Sequence, residues 1–236
     1  MSPAAPSVVV TIDGPAGSGK SSAAEALAGR LGWQVLDTGA MYRAAGVLAL
    51  ERGVDPSNGP AVAAVLRQSV IDFDWSSSPP EIRLDGRPIG EAIRSPAATA
   101  AASAVAPHPE VRACLVESQR RIAAEHPRLV SEGRDQGSLV FPDALVRFYL
   151  DAPVEERARR RVRQWEAEGR IVELADVEQA IRERDRLDEH REVGPLRRPE
   201  AGVELETGSL DLEQVVDRLE STVREAMAEH RIVAEA

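Results

Sequence analysis

VVVTIDGPAGSGKSS, residues 8–22, decides how the rest of this 236-residue chain is read. Val8 to Ile12 is a short β-branched run, which predicts a buried strand. SSAAEALAGRLG, from Ser21 on, predicts a helix that stops at Gly32. Between them Gly14-Pro15-Ala16-Gly17-Ser18-Gly19-Lys20-Ser21 fits the spacing G-x-x-x-x-G-K-[ST]. A chance match in a chain of this length is on the order of one in a hundred. The glycines let successive backbone N–H groups turn inward around a phosphate, and the helix N-terminus adds partial positive charge. Of the 29 basic residues, 28 are Arg and only Lys20 is Lys. A compact ammonium fits inside the wrap of such a loop and touches β- and γ-phosphate oxygens together; a planar guanidinium is too wide. Ser21 or Ser22 supplies a hydroxyl for Mg²⁺ or phosphate. Alone, the loop says only that a nucleoside triphosphate binds; it does not separate switch, motor and kinase.

Outward from the loop, strand and helix signals alternate. WQVLDTG predicts a second strand, entering a helix near Thr38 that ends at Gly53, and Ala61 to Ser69 predicts another helix. Residues 70–90 change character: Ile71, Phe73 and Trp75 alternate, as do Ile82 and Leu84, and Asp85-Gly86 signals a hairpin. Residues 91–126 read as helical, punctuated by Pro107 and Pro109. RLVSEGRD and LVRFYLDA predict strands, 153–168 and 176–191 helices, GVELET a last strand and 211–230 a last helix. The alternation implies an α/β parallel sheet with a small antiparallel insert. With 43% hydrophobic but 3% aromatic residues, the core is Ala, Leu and Val, which suits helices packed on a sheet.

Composition excludes several classes. A net charge of −10 argues against a global attraction to nucleic acid or an anionic membrane, so any anionic ligand is held by a local cluster. The single Cys114 allows no internal disulfide and reads as a small helical core residue. MSPAAPS has neither the basic region nor the apolar run of a signal peptide, and no segment reaches the apolar length of a membrane span. These features imply a soluble cytoplasmic protein.

Three clusters bear on the use of the nucleotide. In LDTGAMYR (36–43), Arg43 is either a solvated charge or a ligand. In EERARRRVR (155–163), Arg157, Arg160 and Arg161 share one helix face and Arg159 and Arg163 another. That helix is either solvated or a clamp for an anion. In DVEQAIRERDRLDEHR (176–191), Val177, Ile181, Arg184, Asp188 and Arg191 form one stripe that starts apolar and turns charged. It describes a helix running from core into a polar cleft, or one twisting out to solvent.

IDGPAGSGKSS, DTGAMYR, SEGRDQGSLVFPDA, EERARRR and RDRLDEHREVGPL come in the order and spacing of the bacterial cytidylate (CMP) kinase family, which the chain resembles over nearly its whole length. The resemblance implies a P-loop NTPase-type parallel sheet flanked by helices. It implies an insert that binds the nucleoside monophosphate (NMP), with a small antiparallel sheet, and a short helical lid. The core would be 1–38, 107–154 and 192–236, the NMP-binding region 39–106 with its hairpin near 70–90, and the lid with its following helix 155–191. It further implies phosphoryl transfer from ATP, with Mg²⁺, to CMP or dCMP by a monomer, with no nucleic-acid or membrane partner. Gly14, Pro15, Ala16, Gly17, Ser18, Gly19, Lys20, Ser21 and Ser22 would bind ATP. Arg43, Arg134 and Arg191 would hold the CMP phosphate, Ser103, Arg112 and Asp135 would read cytosine, and Arg184 and Asp188 would contact the ribose. Lys20 with the lid residues Arg157, Arg160 and Arg161 would be catalytic. Two positions depart from the pattern: Gln136, where the family usually has Met, and Ala201, where it commonly has Asp. The acceptor is a phosphate oxygen already ionised at neutral pH, so the chemistry needs no catalytic His. The competing readings are a kinase for AMP, UMP or shikimate, and a nucleotide-binding module without turnover.

Overall fold

The computed structural model describes residues 7–167 and 169–232. A five-stranded parallel sheet runs in the order β2 (Gln34–Asp37), β6 (Arg128–Gly133), β1 (Val8–Asp13), β7 (Val146–Asp151), β8 (Val203–Glu206), and a second sheet is three-stranded and antiparallel. Contacts divide the described residues into two compact units, one of 8–33 with 130–232 and one of 34–129 with Ser7.

In the first unit β1 (Val8–Asp13) is buried at all six positions, as a middle strand covered on both faces must be. The phosphate loop leads into α1 (Lys20–Leu31), which ends on Gly32 in the left-handed conformation. The unit also contains most of β6 (Arg128–Gly133), with β7 (Val146–Asp151) and β8 (Val203–Glu206). β1 pairs with β7, Val10 opposite Val146, and β7 with β8, Phe148 opposite Val203, both parallel. α1 packs on α8 (Leu212–Glu229); Ala23, Ala24 and Leu27 of the one helix and Val216, Leu219 and Val223 of the other are buried. A capping box of Asp211 and Gln214 starts α8. α6 (Val154–Ala167) and α7 (Leu174–Glu189) pack together around a small core of their own, Ala158, Val177 and Ile181, covered by Val162 and Trp165.

In the second unit β2 (Gln34–Asp37) feeds α2 (Thr38–Glu51), whose N-cap is Asp37. α3 is Gly59–Leu66, two residues earlier than its apolar run suggests, because Asn58 caps it and Pro60 occupies its first turn. β3 (Ile71–Asp74), β4 (Glu81–Leu84) and β5 (Arg87–Pro88) make the insert, turning at Asp85-Gly86, both with positive φ. Ile71, Phe73, Ile82 and Leu84 are buried, so the alternation did mark one apolar face. Trp75 lies past the end of β3, its ring 4.1 Å from that of His126. The helical stretch 91–126 resolves into α4 (Pro96–Val105) and α5 (Pro109–Glu125), each opened by a proline. α5 packs on α3 and so groups with 34–106, whereas the sequence boundaries placed it in the core.

Candidate active site

Glycines with positive φ shape the loop between β1 and α1: Gly14 at 148°, Gly17 at 79° and Gly19 at 91°. A Cβ on Gly14 would lie 2.0 Å from the Leu150 carbonyl oxygen, so no other residue fits there. Lys20 is the first residue of α1 and is only 5% exposed. Its Nζ donates to the Pro15 carbonyl oxygen at 2.7 Å, folding back over its own loop. Burial, reinforced by the Arg134 charge, pulls its pKa down to about 7, against the opposing pull of Glu132 and Asp13. Ser18 Oγ donates to the same carbonyl at 3.1 Å, and Ser21 Oγ donates to Glu132 at 2.8 Å. Ser22 is exposed.

α6 presents its arginines on two faces. Arg157 is buried; its Nε donates to the Ala152 carbonyl at 2.8 Å, and a terminal nitrogen donates to the Ala16 carbonyl at 3.1 Å and Asp185 at 2.7 Å. It thus holds the backbone of the phosphate loop while tied to α7. Arg160 is half-buried, donates to Thr207 and lies 3.5 Å from Glu156. Arg161 lies over the Trp165 ring at 5.8 Å. Arg159 and Arg163 are exposed and pair with Glu156 at 3.4 and 2.9 Å.

The stripe on α7 follows its apolar anchors Val177 and Ile181 inward. Arg184 and Asp188 of α7 are half-buried, as is Arg191, which lies two residues past the end of α7 rather than on the helix that the sequence extended to 191; Asp188 accepts from Arg134 Nε at 2.9 Å with Arg191 3.7 Å away. Burial alone would push the Asp188 carboxyl up, but Arg134 and Arg191 together hold it below the ordinary aspartate range. Burial likewise opposes the charge on Arg134, but Asp188, Glu132 and Asp185 outweigh it and raise the guanidinium pKa. Asp135 is buried, and Gln136 beside it accepts from Ser131 Oγ at 2.9 Å and brings its own amide nitrogen 3.5 Å from the Asp135 carboxylate.

The second unit holds the other three candidates. Asp37 accepts the Ala40 N–H at 2.8 Å and the Arg43 guanidinium at 2.9 Å, so one carboxylate caps α2 and fixes Arg43. Arg112 is buried, 5.7 Å from the centre of the Tyr42 ring. Ser103 is exposed on α4 and donates to the Thr99 carbonyl at 3.2 Å. The predicted residues therefore fall into two sets. Gly14 to Ser22, Arg134, Asp135, Arg157, Arg160, Arg161, Arg184, Asp188 and Arg191 belong to one unit, and Arg43, Ser103 and Arg112 to the other.

Sequence reasoning missed the acids that hold these cations and loops. Asp37 ends β2, Asp13 ends β1, Glu132 is next to last in β6 and Asp151 ends β7. Asp13 is fully buried; burial pushes its carboxyl up to about 7, although the Gly137 and Gln136 N–H groups pull it down. The signal was there: a carboxylate at the carboxyl end of a buried parallel strand is where such sheets bind ligands and anchor loops. Among the described residues, no group of three or more His, Cys, Asp and Glu side chains could hold a metal ion, and no helix is long and apolar enough to cross a membrane.

A buried strand, a glycine loop with a lysine at a helix N-terminus, and a parallel sheet around them define a phosphate-loop α/β protein. Residues 10–225 match the model of the family described as cytidylate kinase, and the chain belongs to that family. It is 44% identical over 223 residues to the cytidylate kinase of Rhodococcus opacus (strain B4), covering 93% of this chain and 96% of that one. It is 48% identical over 220 residues to the bifunctional pantoate ligase/cytidylate kinase of Synechococcus sp. (strain WH7803), covering 92% of this chain. The chain spans 45% of that longer relative. An uncharacterized protein from Eubacterium ventriosum has a similar fold, with a TM-score of 0.52 at 11% identity, over 92% of this chain and 98% of that one.

Proposed function

We propose that the chain transfers the γ-phosphoryl group of ATP to CMP, and to dCMP, giving ADP and CDP or dCDP. The observation that carries this reading lies in the first unit. Lys20 at the phosphate loop, Arg134 just past β6 and the arginines of α6 make a cationic set whose members are held by carbonyls and carboxylates that phosphates can replace. In the transfer, an oxygen of the CMP phosphate bonds to the γ-phosphorus as the bond to the β,γ-bridging oxygen breaks, and ADP leaves with that electron pair. The attacking oxygen is already ionised, so the protein's task is positioning and charge neutralisation. Lys20 spans the β- and γ-phosphates. Arg160 and Arg161 neutralise the moving phosphoryl group, while Arg157 acts through the loop backbone it grips. Arg43, Arg134 and Arg191 hold the acceptor phosphate in forked hydrogen bonds. Ser103, Arg112 and Asp135 read the cytosine, and Arg184 and Asp188 orient the ribose.

The Ser21 hydroxyl and the Glu132 carboxylate, 2.8 Å apart, are hard oxygens of the kind that suit Mg²⁺. Bound there with ATP, the ion would be held by these two side chains and would supply neutralisation of the phosphate charge. The lone Cys114 fits a reducing cytoplasm. A coupled ADP-release assay with ATP·Mg²⁺ and a panel of CMP, dCMP, UMP, AMP and shikimate tests the reading. CMP and dCMP should give the largest specificity constants. A larger value for another acceptor, or no turnover with any, overturns it.

A further inference from the structure

Asp13 ends β1 one residue before the phosphate loop, and both its oxygens are used. They accept the backbone N–H groups of Gln136 and Gly137, each at 2.7 Å. Those two N–H groups open the π-helical turn Gln136–Val140. The first N–H groups of a helical turn have no partner within it, and buried ones are costly to leave unpaired. Asp135 is the N-cap of this turn, and its carbonyl accepts the Leu139 and Val140 N–H groups at 2.9 and 3.2 Å. Its side chain makes no capping bond; the cap comes from Asp13, 123 positions earlier in the chain. The turn is also wedged in place, since a Cβ on Gly137 would lie 2.7 Å from Thr11 Oγ1 and 3.0 Å from Pro199.

We propose that Asp13 is a positioning residue for the acceptor. It locks the backbone of 135–137 to the strand that carries the phosphate loop, and so fixes Arg134 and Asp135 relative to Lys20. This rests on the reading of Arg134 as a phosphate ligand and Asp135 as the cytosine reader. Both groups sit on a loop, where a small shift costs alignment of two substrates at once. An Asn at position 13 keeps the shape but turns one acceptor into a donor that faces a backbone N–H.

The test measures Asp13→Asn and Asp13→Ala kinetics with CMP, UMP and ATP. Amide exchange at Gln136 and Gly137 is followed by NMR in the unmodified protein. Asp13→Asn should raise the KM for CMP about tenfold, contract the CMP:UMP ratio of specificity constants several-fold, and change the KM for ATP less than about threefold. The two amides should exchange as slowly as those of β1. Equal damage to the CMP and ATP constants would make Asp13 merely structural and overturn the proposal, as would unchanged CMP constants. Fast exchange at either amide overturns it without any variant. Asp135→Asn separates the two levels. If it leaves the CMP:UMP ratio unchanged, the base-reading assignment fails. If it collapses the ratio and Asp13→Asn does not alter it, the positioning role alone fails.

Discussion

The phosphate loop and the α6–α7 pair hold positive charge in opposite ways. Lys20 is buried and donates to a carbonyl, so its charge is expensive and its pKa falls to about 7. The arginines on and just beyond these helices are matched with carboxylates: Arg157 with Asp185, Arg160 with Glu156, and Arg191 with Asp188, which also holds Arg134. A polyanionic ligand therefore does different work at the two places. At the loop it restores a charge; at the helices it replaces one anion with another. The first should show as proton uptake, the second as an exchange of partners without a proton.

The largest effect is expected at the loop. Lys20→Ala should fold and lose roughly a hundredfold or more in kcat, the scale of removing one preorganised electrostatic contact. Lys20→Arg should fail as well, since a guanidinium does not fit; turnover near that of the parent would break the contrast between the two regions. The sign of the pH effect follows from the lowered pKa, from 10.5 to about 7. Between these values the unfolded chain holds the proton and the folded one does not, so this group's cost to stability is full below about pH 7 and fades as pH rises towards 10.5. Triphosphate binding at pH 8 should then take up close to one proton, and far less at pH 6. Calorimetry in buffers of different ionisation heat measures it. Equal uptake at both pH values would sink the account.

Next in size is the acceptor side, at the end of α7 and just past it. Arg191→Ala should raise the KM for CMP about ten- to a hundredfold, the range for a lost hydrogen bond to a charged group, and leave the KM for ATP nearly unchanged. Asp188→Ala should damage CMP and dCMP both, with the larger loss for the substrate that offers more ribose hydroxyls. Constants near parental values in both variants would return this stripe to a purely internal role, with Asp188 serving only Arg134.

The two faces of α6 sharpen the comparison further. Arg160→Ala and Arg161→Ala should each lower kcat roughly tenfold and alter substrate affinity less, because they act mainly on the transferring group. Arg159→Ala and Arg163→Ala, on the exposed face, should stay within about 0.5 kcal/mol of the parent in stability and kinetics. Arg157→Ala should differ from both pairs by also losing stability, since it strands Asp185 in a nearly buried site. Single-Ala kinetics with thermal melts separate the three classes; equal effects from both faces would remove the distinction.

What the sequence made legible follows the same divide. The loop could be read because its geometry is main-chain geometry: glycines needed at set spacings leave a pattern in the letters. The parallel sheet was legible for a similar reason, as β-branched, mostly apolar runs such as VVVTI have nowhere to lie but inside. The arginine cluster was legible as a need for anions but not as a set of partners. Glu156 lies on the same helix, but Asp185 comes 28 positions after Arg157, and Asp188 54 positions after Arg134. No local pattern encodes such pairings. The cap that Asp13 gives to residues 136 and 137 was hidden for the same reason, and the π-helical turn it serves has no apolar period to announce it. The missed start of α3 is a different failure, since Asn58 and Pro60 were visible turn signals outweighed by the apolar run after them.

The smallest effect comes from Ala201. The phosphate loop meets its positive φ values with glycine, whereas Ala201 adopts φ 53° with a Cβ. It sits in an exposed turn before β8, closed by the Gly202 N–H donating to the Pro199 carbonyl at 3.0 Å. An L-residue with a methyl side chain pays roughly 1 kcal/mol for that conformation, and Asp or Asn offsets part of it by hydrogen bonding locally. Ala201→Gly removes the strain but gives the unfolded chain more freedom, so the net gain is about 0.5 kcal/mol. Ala201→Asn should gain a similar amount. For a chain of this size that is about 1–2 °C in Tm. Neither change touches a residue assigned to ATP or CMP, so kcat and both KM values should match the parent. A melt that falls instead would mean the turn depends on its methyl group, and a changed KM for CMP would extend the acceptor side of the site to this turn.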